Sequence, residues 1–127
     1  MKIEHGAVAT HSVEESDEFF ISLLGFEKTR EFVVDAELIE AFFGVKGKRQ
    51  FLRYERNGMA FEVIVDEGGG ASDDFTHLCL MVDDKKSLSE RAVGLGFEVI
   101  KKQRNDGSDF YLFIKDKFGN LYEIKEK

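Results

Sequence analysis

Asp116-Lys117-Phe118-Gly119-Asn120-Leu121-Tyr122-Glu123-Ile124 decides the fold, because its second part is a copy of an earlier stretch. Gly58-Met59-Ala60-Phe61-Glu62-Val63 has the same succession of glycine, aliphatic, aromatic, glutamate and β-branched residues as Gly119-Asn120-Leu121-Tyr122-Glu123-Ile124, 61 positions earlier. Two more matches run in the same order. Ile3-Glu4-His5 returns as Phe75-Thr76-His77 after 72 positions, and Leu24-Gly25-Phe26-Glu27 as Leu95-Gly96-Phe97-Glu98 after 71. Three ordered matches mark an internal duplication. The fall in spacing to 61 corresponds to an insertion, Asp35 to Lys48, in the first copy.

Working outward, residues 3–10 (IEHGAVAT) read as a short buried strand. Ser12 and Glu15 form a capping box ahead of a helix whose apolar residues are Val13, Phe19, Phe20, Leu23 and Leu24, closed by Gly25. Strands are expected at 26–34, 49–55 and 59–65, the last two joined by a turn at Asn57-Gly58. Leu38, Ile39, Phe42 and Phe43 fall at helical spacing within 35–44. The Gly- and acid-rich run 66–74 (DEGGGASDD) is the expected linker. The order then restarts with a strand at 75–82 and a helix at 85–94 with Leu88, Arg91, Ala92 and Leu95 on one side. Strands follow at 97–102, 109–115 and 121–125. The reading is therefore one domain over 1–127 made of two pseudo-repeats, 1–65 and 75–127, of α+β class.

The composition bounds the function. With 127 residues, 43% hydrophobic and 13% aromatic, the chain has material for a packed core. A formal net charge of −7 argues against nucleic acid as a partner, and the one basic cluster, Lys101-Lys102-Gln103-Arg104, is expected at an exposed strand end. Cys79, the single cysteine, has no partner for a disulfide and is expected as a small buried hydrophobe. No run approaches membrane-spanning length and no signal-peptide stretch precedes residue 5, so a soluble cytoplasmic protein with no membrane partner is expected.

Alternation along strands assigns faces. Phe61, Val63 and Val65 form one face of their strand, so Glu62 takes the other; Tyr122 and Ile124 leave Glu123 in the same position. Leu78, Leu80 and Val82 form an apolar face, which turns His77, Cys79 and Met81 the other way, and His5 is its equivalent. The result is four candidate metal ligands, His5, Glu62, His77 and Glu123, two from each repeat. A lone strand histidine is ordinarily a satisfied polar residue, and His5 with Glu62 can also be read as a simple His–carboxylate pair. The repetition of the pair favours a metal. Two imidazoles and two carboxylates suit Zn, Ni, Co, Mn or Fe. His11, just before a helix, is expected to cap or to face solvent.

These residues resemble the vicinal oxygen chelate superfamily, which includes glyoxalase I, methylmalonyl-CoA epimerase, extradiol dioxygenases, fosfomycin-modifying enzymes and bleomycin-binding proteins. The resemblance covers nearly the whole chain and rests on Ile3-Glu4-His5, Phe19-Phe20 with Leu23-Leu24-Gly25-Phe26-Glu27, Phe75-Thr76-His77, and residues 116–123, with Lys117 where the family often has proline. It implies two βαβββ modules in tandem, a curved mixed sheet (half-barrel) around a metal cavity, and helices on the outer face. The ligand order His, Glu, His, Glu is similar to that of small bacterial glyoxalase I, which implies a lyase with one divalent metal, Zn or Ni foremost. In that chemistry an enediolate forms on a thiohemiacetal of a 2-oxoaldehyde, and Glu123 carries the proton with Glu62 as its symmetric partner. The resemblance also implies a small-molecule substrate and a homodimer. Glutathione-using members carry a basic residue where Ala9 stands, and Asp66 follows Glu62, so another thiol, a methylmalonyl-CoA-type epimerase or a non-catalytic binding protein stays open.

Overall fold

The computed structural model describes residues 1–72, 74–104 and 106–127. Asp73, within the stretch read as a linker, lies outside the described residues. The chain divides into two compact units, Met1–Gly70 and Ala71–Lys127.

In the first unit β1 (Gly6–Thr10) leads into α1 (Val13–Asp17), capped by Ser12, whose hydroxyl accepts from the Glu15 amide. The helix continues as a π-helical turn, Glu18–Leu23. Its wider winding, with the Leu24 amide donating to the Phe19 carbonyl, lets Phe19, Phe20, Leu23 and Leu24 all be buried. Gly25 then turns the chain at φ +74. β2 (Glu27–Val34), α2 (Ala36–Phe43), β3 (Arg49–Arg56) and β4 (Met59–Val65) follow. Asn57 and Gly58, both at positive φ, make the tight β3–β4 turn.

The sheet order is β1-β4-β3-β2. α1 carries the chain from one edge to the other, and the antiparallel return by β3 brings β4 parallel to β1, with Ala7 beside Glu62. One face is a dry aromatic layer: Phe20 stacks on Tyr54 at 4.8 Å and packs on Phe61 at 5.2 Å, over Leu52 and Val63. The Tyr54 hydroxyl donates to Asp17 at 2.7 Å. The opposite, open face carries Arg53 and Glu62. α2 reaches that open face, its Phe43 ring 6.4 Å from Phe51. Of the four apolar residues at helical spacing only Ile39 is buried; Leu38, Phe42 and Phe43 are exposed.

The second unit repeats the plan. β5 (Leu78–Val82), α3 (Lys85–Gly94), β6 (Glu98–Gln103), β7 (Phe110–Lys115) and β8 (Leu121–Glu126) form a sheet in the order β5-β8-β7-β6, β5 parallel to β8. Both units are thus four-stranded mixed sheets crossed by a helix, the α+β tandem arrangement. Leu80, Leu88, Ala92, Leu112, Ile114, Tyr122 and Ile124 are buried. Arg91, expected on the inner side of α3, is exposed; Lys85 and Ser89 occupy that side with Leu88 and Ala92. Lys85 is tolerated there because its ammonium meets Asp109 at 2.9 Å and the Phe110 carbonyl at 2.7 Å. The 116–120 turn is organised by Asp116, whose carboxylate accepts from the amides of Phe118, Gly119 and Asn120 and from the Tyr122 hydroxyl. Burial pushes the Asp116 carboxyl up despite those donors.

Candidate metal centre

Each unit brings its own histidine and glutamate together. His5 stands just before β1 and Glu62 in the middle of β4, with His5 Nε2 3.5 Å from Glu62 Oε1. His77 stands just before β5 and Glu123 on β8, with His77 Nε2 3.4 Å from Glu123 Oε2. Both histidines were expected inside strands that begin at residues 3 and 75; the strands begin at Gly6 and Leu78. The glutamates are partly shielded, 19% and 23% exposed, while their strand neighbours Phe61, Val63, Tyr122 and Ile124 are buried on the other face.

The other ring nitrogen is engaged in both pairs. His77 Nδ1 donates to the Phe75 carbonyl at 2.7 Å, and His5 Nδ1 meets the Glu4 carboxylate. A proton held at Nδ1 leaves the Nε2 lone pair directed at a carboxylate oxygen. Two acceptors at that separation call for a cation between them, either a proton on the ring or a metal, and an oxygen partner at the far nitrogen is the usual support of a metal-binding imidazole. The donor set therefore fits a borderline divalent ion. Among the described residues no group of three or more His, Cys, Asp or Glu side chains gathers as a metal site. Each pair is by itself short of the three protein ligands that a catalytic metal keeps.

The surroundings of the two pairs differ. Arg53 is the register partner of Glu62 and reaches its Oε2 at 3.5 Å through Nη1. Phe113 is the register partner of Glu123, and its ring lies 5.6 Å from that of His77. Arg53 was not singled out from sequence, although parity with the buried Leu52 and Tyr54 places it on the face of Glu62. Cys79 corrects an expectation: it is exposed, beside Glu123 in register, because Leu80 is the residue that packs. Partial desolvation and the Glu123 charge push its thiol up, away from a reactive thiolate. His11 was expected to cap α1 or to face solvent; Ser12 is the cap, and the half-buried His11 ring meets the Glu15 carboxylate at 3.2 Å and the Gly69 carbonyl at 2.6 Å. Asp66 lies 3.5 Å from Arg49, which offsets its charge.

The sequence pattern that defines the Glyoxalase/Bleomycin resistance protein/Dioxygenase superfamily matches residues 2–124. No curated protein matches the sequence. Among solved structures, a glyoxalase family protein from Bacillus cereus is similar with a TM-score of 0.77 at 14% identity, over 99% of this chain and 93% of that one. A glyoxalase family protein from Enterococcus faecalis gives 0.71 at 17% identity, over 97% and 95%. The fosfomycin resistance protein FosX from Listeria monocytogenes, solved as a variant with Mn(II) and 1S,2S-dihydroxypropylphosphonic acid, gives 0.70 at 14% identity, over 98% and 88%. At these identities the likeness is one of fold. No helix among the described residues is long and apolar enough to cross a membrane.

Proposed function

We propose, from the premise that this chain belongs to the Glyoxalase/Bleomycin resistance protein/Dioxygenase superfamily, that it is a metal-dependent lyase or isomerase of the glyoxalase I kind, with His5, Glu62, His77 and Glu123 as one donor set. The observation that carries the reading is the repeated pair, imidazole Nε2 against carboxylate at 3.5 and 3.4 Å, at equivalent places in the two units. A half-set in each unit is completed by the other, within one chain or between two copies, and a homodimer is part of the proposal. A divalent ion, Zn or Ni foremost, would supply Lewis-acid stabilisation of negative charge on the substrate oxygens.

The chain's own residues carry the proton. On the thiohemiacetal of a 2-oxoaldehyde, Glu123 takes the hydrogen from the sulfur-bearing carbon and returns it to the neighbouring carbon. Carbonyl and hydroxyl exchange places, and the product is a thioester of a 2-hydroxy acid. Phe113, the register partner of Glu123, stands where the first unit has Arg53. Glu62, tied to Arg53, serves as the static member of the pair.

The test is turnover of the hemithioacetals that methylglyoxal forms with several thiols, by protein stripped of metal and then resupplied with Ni, Co, Zn or Mn. Thioester formation that depends on added metal and is lost in His77→Ala supports the reading. A fully metallated protein that turns over none of these substrates contradicts it.

A further inference from the structure

The open face of the first unit carries two arginines, of which Arg53 lies among the carboxylates of Glu4, Glu55 and Glu62. Arg30 and Arg53 are register partners on β2 and β3. Like charges directly opposite in a sheet are unfavourable unless something negative serves both. Arg53, whose side chain is only 15% exposed, is the better built of the two. Its Nε meets Glu55 at 3.4 Å, and its Nη1 and Nη2 are held by the Glu4 carboxylate at 3.3 and 2.6 Å. That two-point grip is the geometry in which arginine receives a carboxylate or a phosphonate. Arg30 lies 4.5 Å over the Phe32 ring and has no ion-pair partner among the described residues.

Glu4 is the loosest member of this group. It precedes β1, belongs to no strand or helix, and its side chain is 63% exposed. The module does not need the pair: where the first unit has Glu4 and Arg53, the second has Thr76 and Phe113.

We propose that Arg53, with Arg30 beside it, is the seat of an anionic group of the substrate, a carboxylate, phosphonate or phosphate ester, and that Glu4 occupies this seat in the free protein. When the substrate enters, Glu4 yields the guanidinium and keeps its second oxygen on the His5 ring. The inference rests on the assignment of His5 and Glu62 to the reaction site, since it sets the substrate's charged end on the strand next to Glu62, about 5 Å away. The favoured substrates are therefore small enolisable carbonyl compounds that carry a negative charge.

The test reads binding to metal-free protein, so loss of metal or of turnover leaves its result intact. Methylphosphonate is titrated into the wild type, Glu4→Gln and Arg53→Met, with the arginine Nε–H resonances followed by NMR and the fold of each variant checked by circular dichroism. The expected result is a saturable shift at Arg53 and Arg30. Binding should tighten in Glu4→Gln and weaken by about tenfold or more in Arg53→Met, the loss of a charge-assisted hydrogen bond. Equal affinity in all three proteins, or no saturable shift even in Glu4→Gln, overturns the proposal.

Discussion

The two units carry the same pair of side chains in unlike company. On β4, Glu62 faces Arg53; on β8, Glu123 faces Phe113. Two residues before Arg53 and Phe113, on β3 and β7, the contrast continues. Phe51 is 5% exposed beneath Phe43 of α2, whereas Tyr111 is half exposed, with the Arg104 guanidinium 4.6 Å over its ring. The insertion thus closes one end of the first open face, and the second unit has nothing in that place among its described residues. The shared feature is the histidine–glutamate pair, which both modules build with an oxygen at Nδ1. The unshared features, Arg53, Glu4 and α2, sit around one pair only. Under the function proposed above, a duplicated module that keeps its donors and varies their neighbours would divide the work, one half holding charge and the other moving a proton.

That division predicts unequal effects from equal substitutions. The largest is on turnover. Glu123→Gln should lower kcat by about 10²–10⁴-fold, the usual worth of a positioned acid–base group, and Glu62→Gln by much less, with steady-state kinetics on the metal-loaded protein as the measurement. Equal losses would remove the distinction between the halves. Next come the cores, where the halves should agree. Leu52→Ala and Leu112→Ala each empty a fully buried site on the central strand and should each cost about 2–5 kcal/mol in urea unfolding.

Smaller effects sharpen the comparison at the matched Leu-Gly-Phe-Glu turns. Gly25 and Gly96 both adopt positive φ, but a Cβ at Gly25 falls 2.0 Å from Arg56 Nη1, which donates to the Leu24 carbonyl at 2.7 Å. At Gly96 the nearest atom is the mobile Lys117 ammonium at 3.8 Å. Alanine should therefore cost about 1 kcal/mol at Gly96 and about 2 kcal/mol at Gly25. The smallest difference lies in the tyrosines. Tyr54→Phe removes a 2.7 Å bond from Asp17, which keeps Lys28, and should cost about 1–2 kcal/mol. Tyr122→Phe removes a 3.1 Å bond from Asp116, which keeps three amides and Asn120, and should cost about 1 kcal/mol or less.

Much of this was legible from residues alone. Asn57-Gly58, Ser12 with Glu15, and the parity of Phe61-Glu62-Val63 each obey a local rule, and their elements formed where those rules placed them. Other features depend on what a residue meets across the chain. Periodicity marked Leu38, Ile39, Phe42 and Phe43 as a helix face, but α2 has only Phe51 and its surroundings to cover, so Ile39 alone is buried. Lys85 is buried because the chain entering β7 brings Asp109 and the Phe110 carbonyl to it, which no local pattern in 85–94 announces. Arg53 was within reach of local rules: the two-residue turn at Asn57-Gly58 fixes the hairpin register, and that register sets Arg53 opposite Glu62.

The central claim is that two half-sets make one metal centre, and metal content tests it most directly. Inductively coupled plasma mass spectrometry on the purified protein, reconstituted in turn with Ni, Co, Zn and Mn, is to be compared with His5→Ala and His77→Ala. The account predicts about one divalent ion per chain in the wild type and loss of most of that ion in both variants, since each gives up one of the two imidazoles of the four-donor set. A variant that keeps its full metal, or a wild type that takes up none, would contradict it.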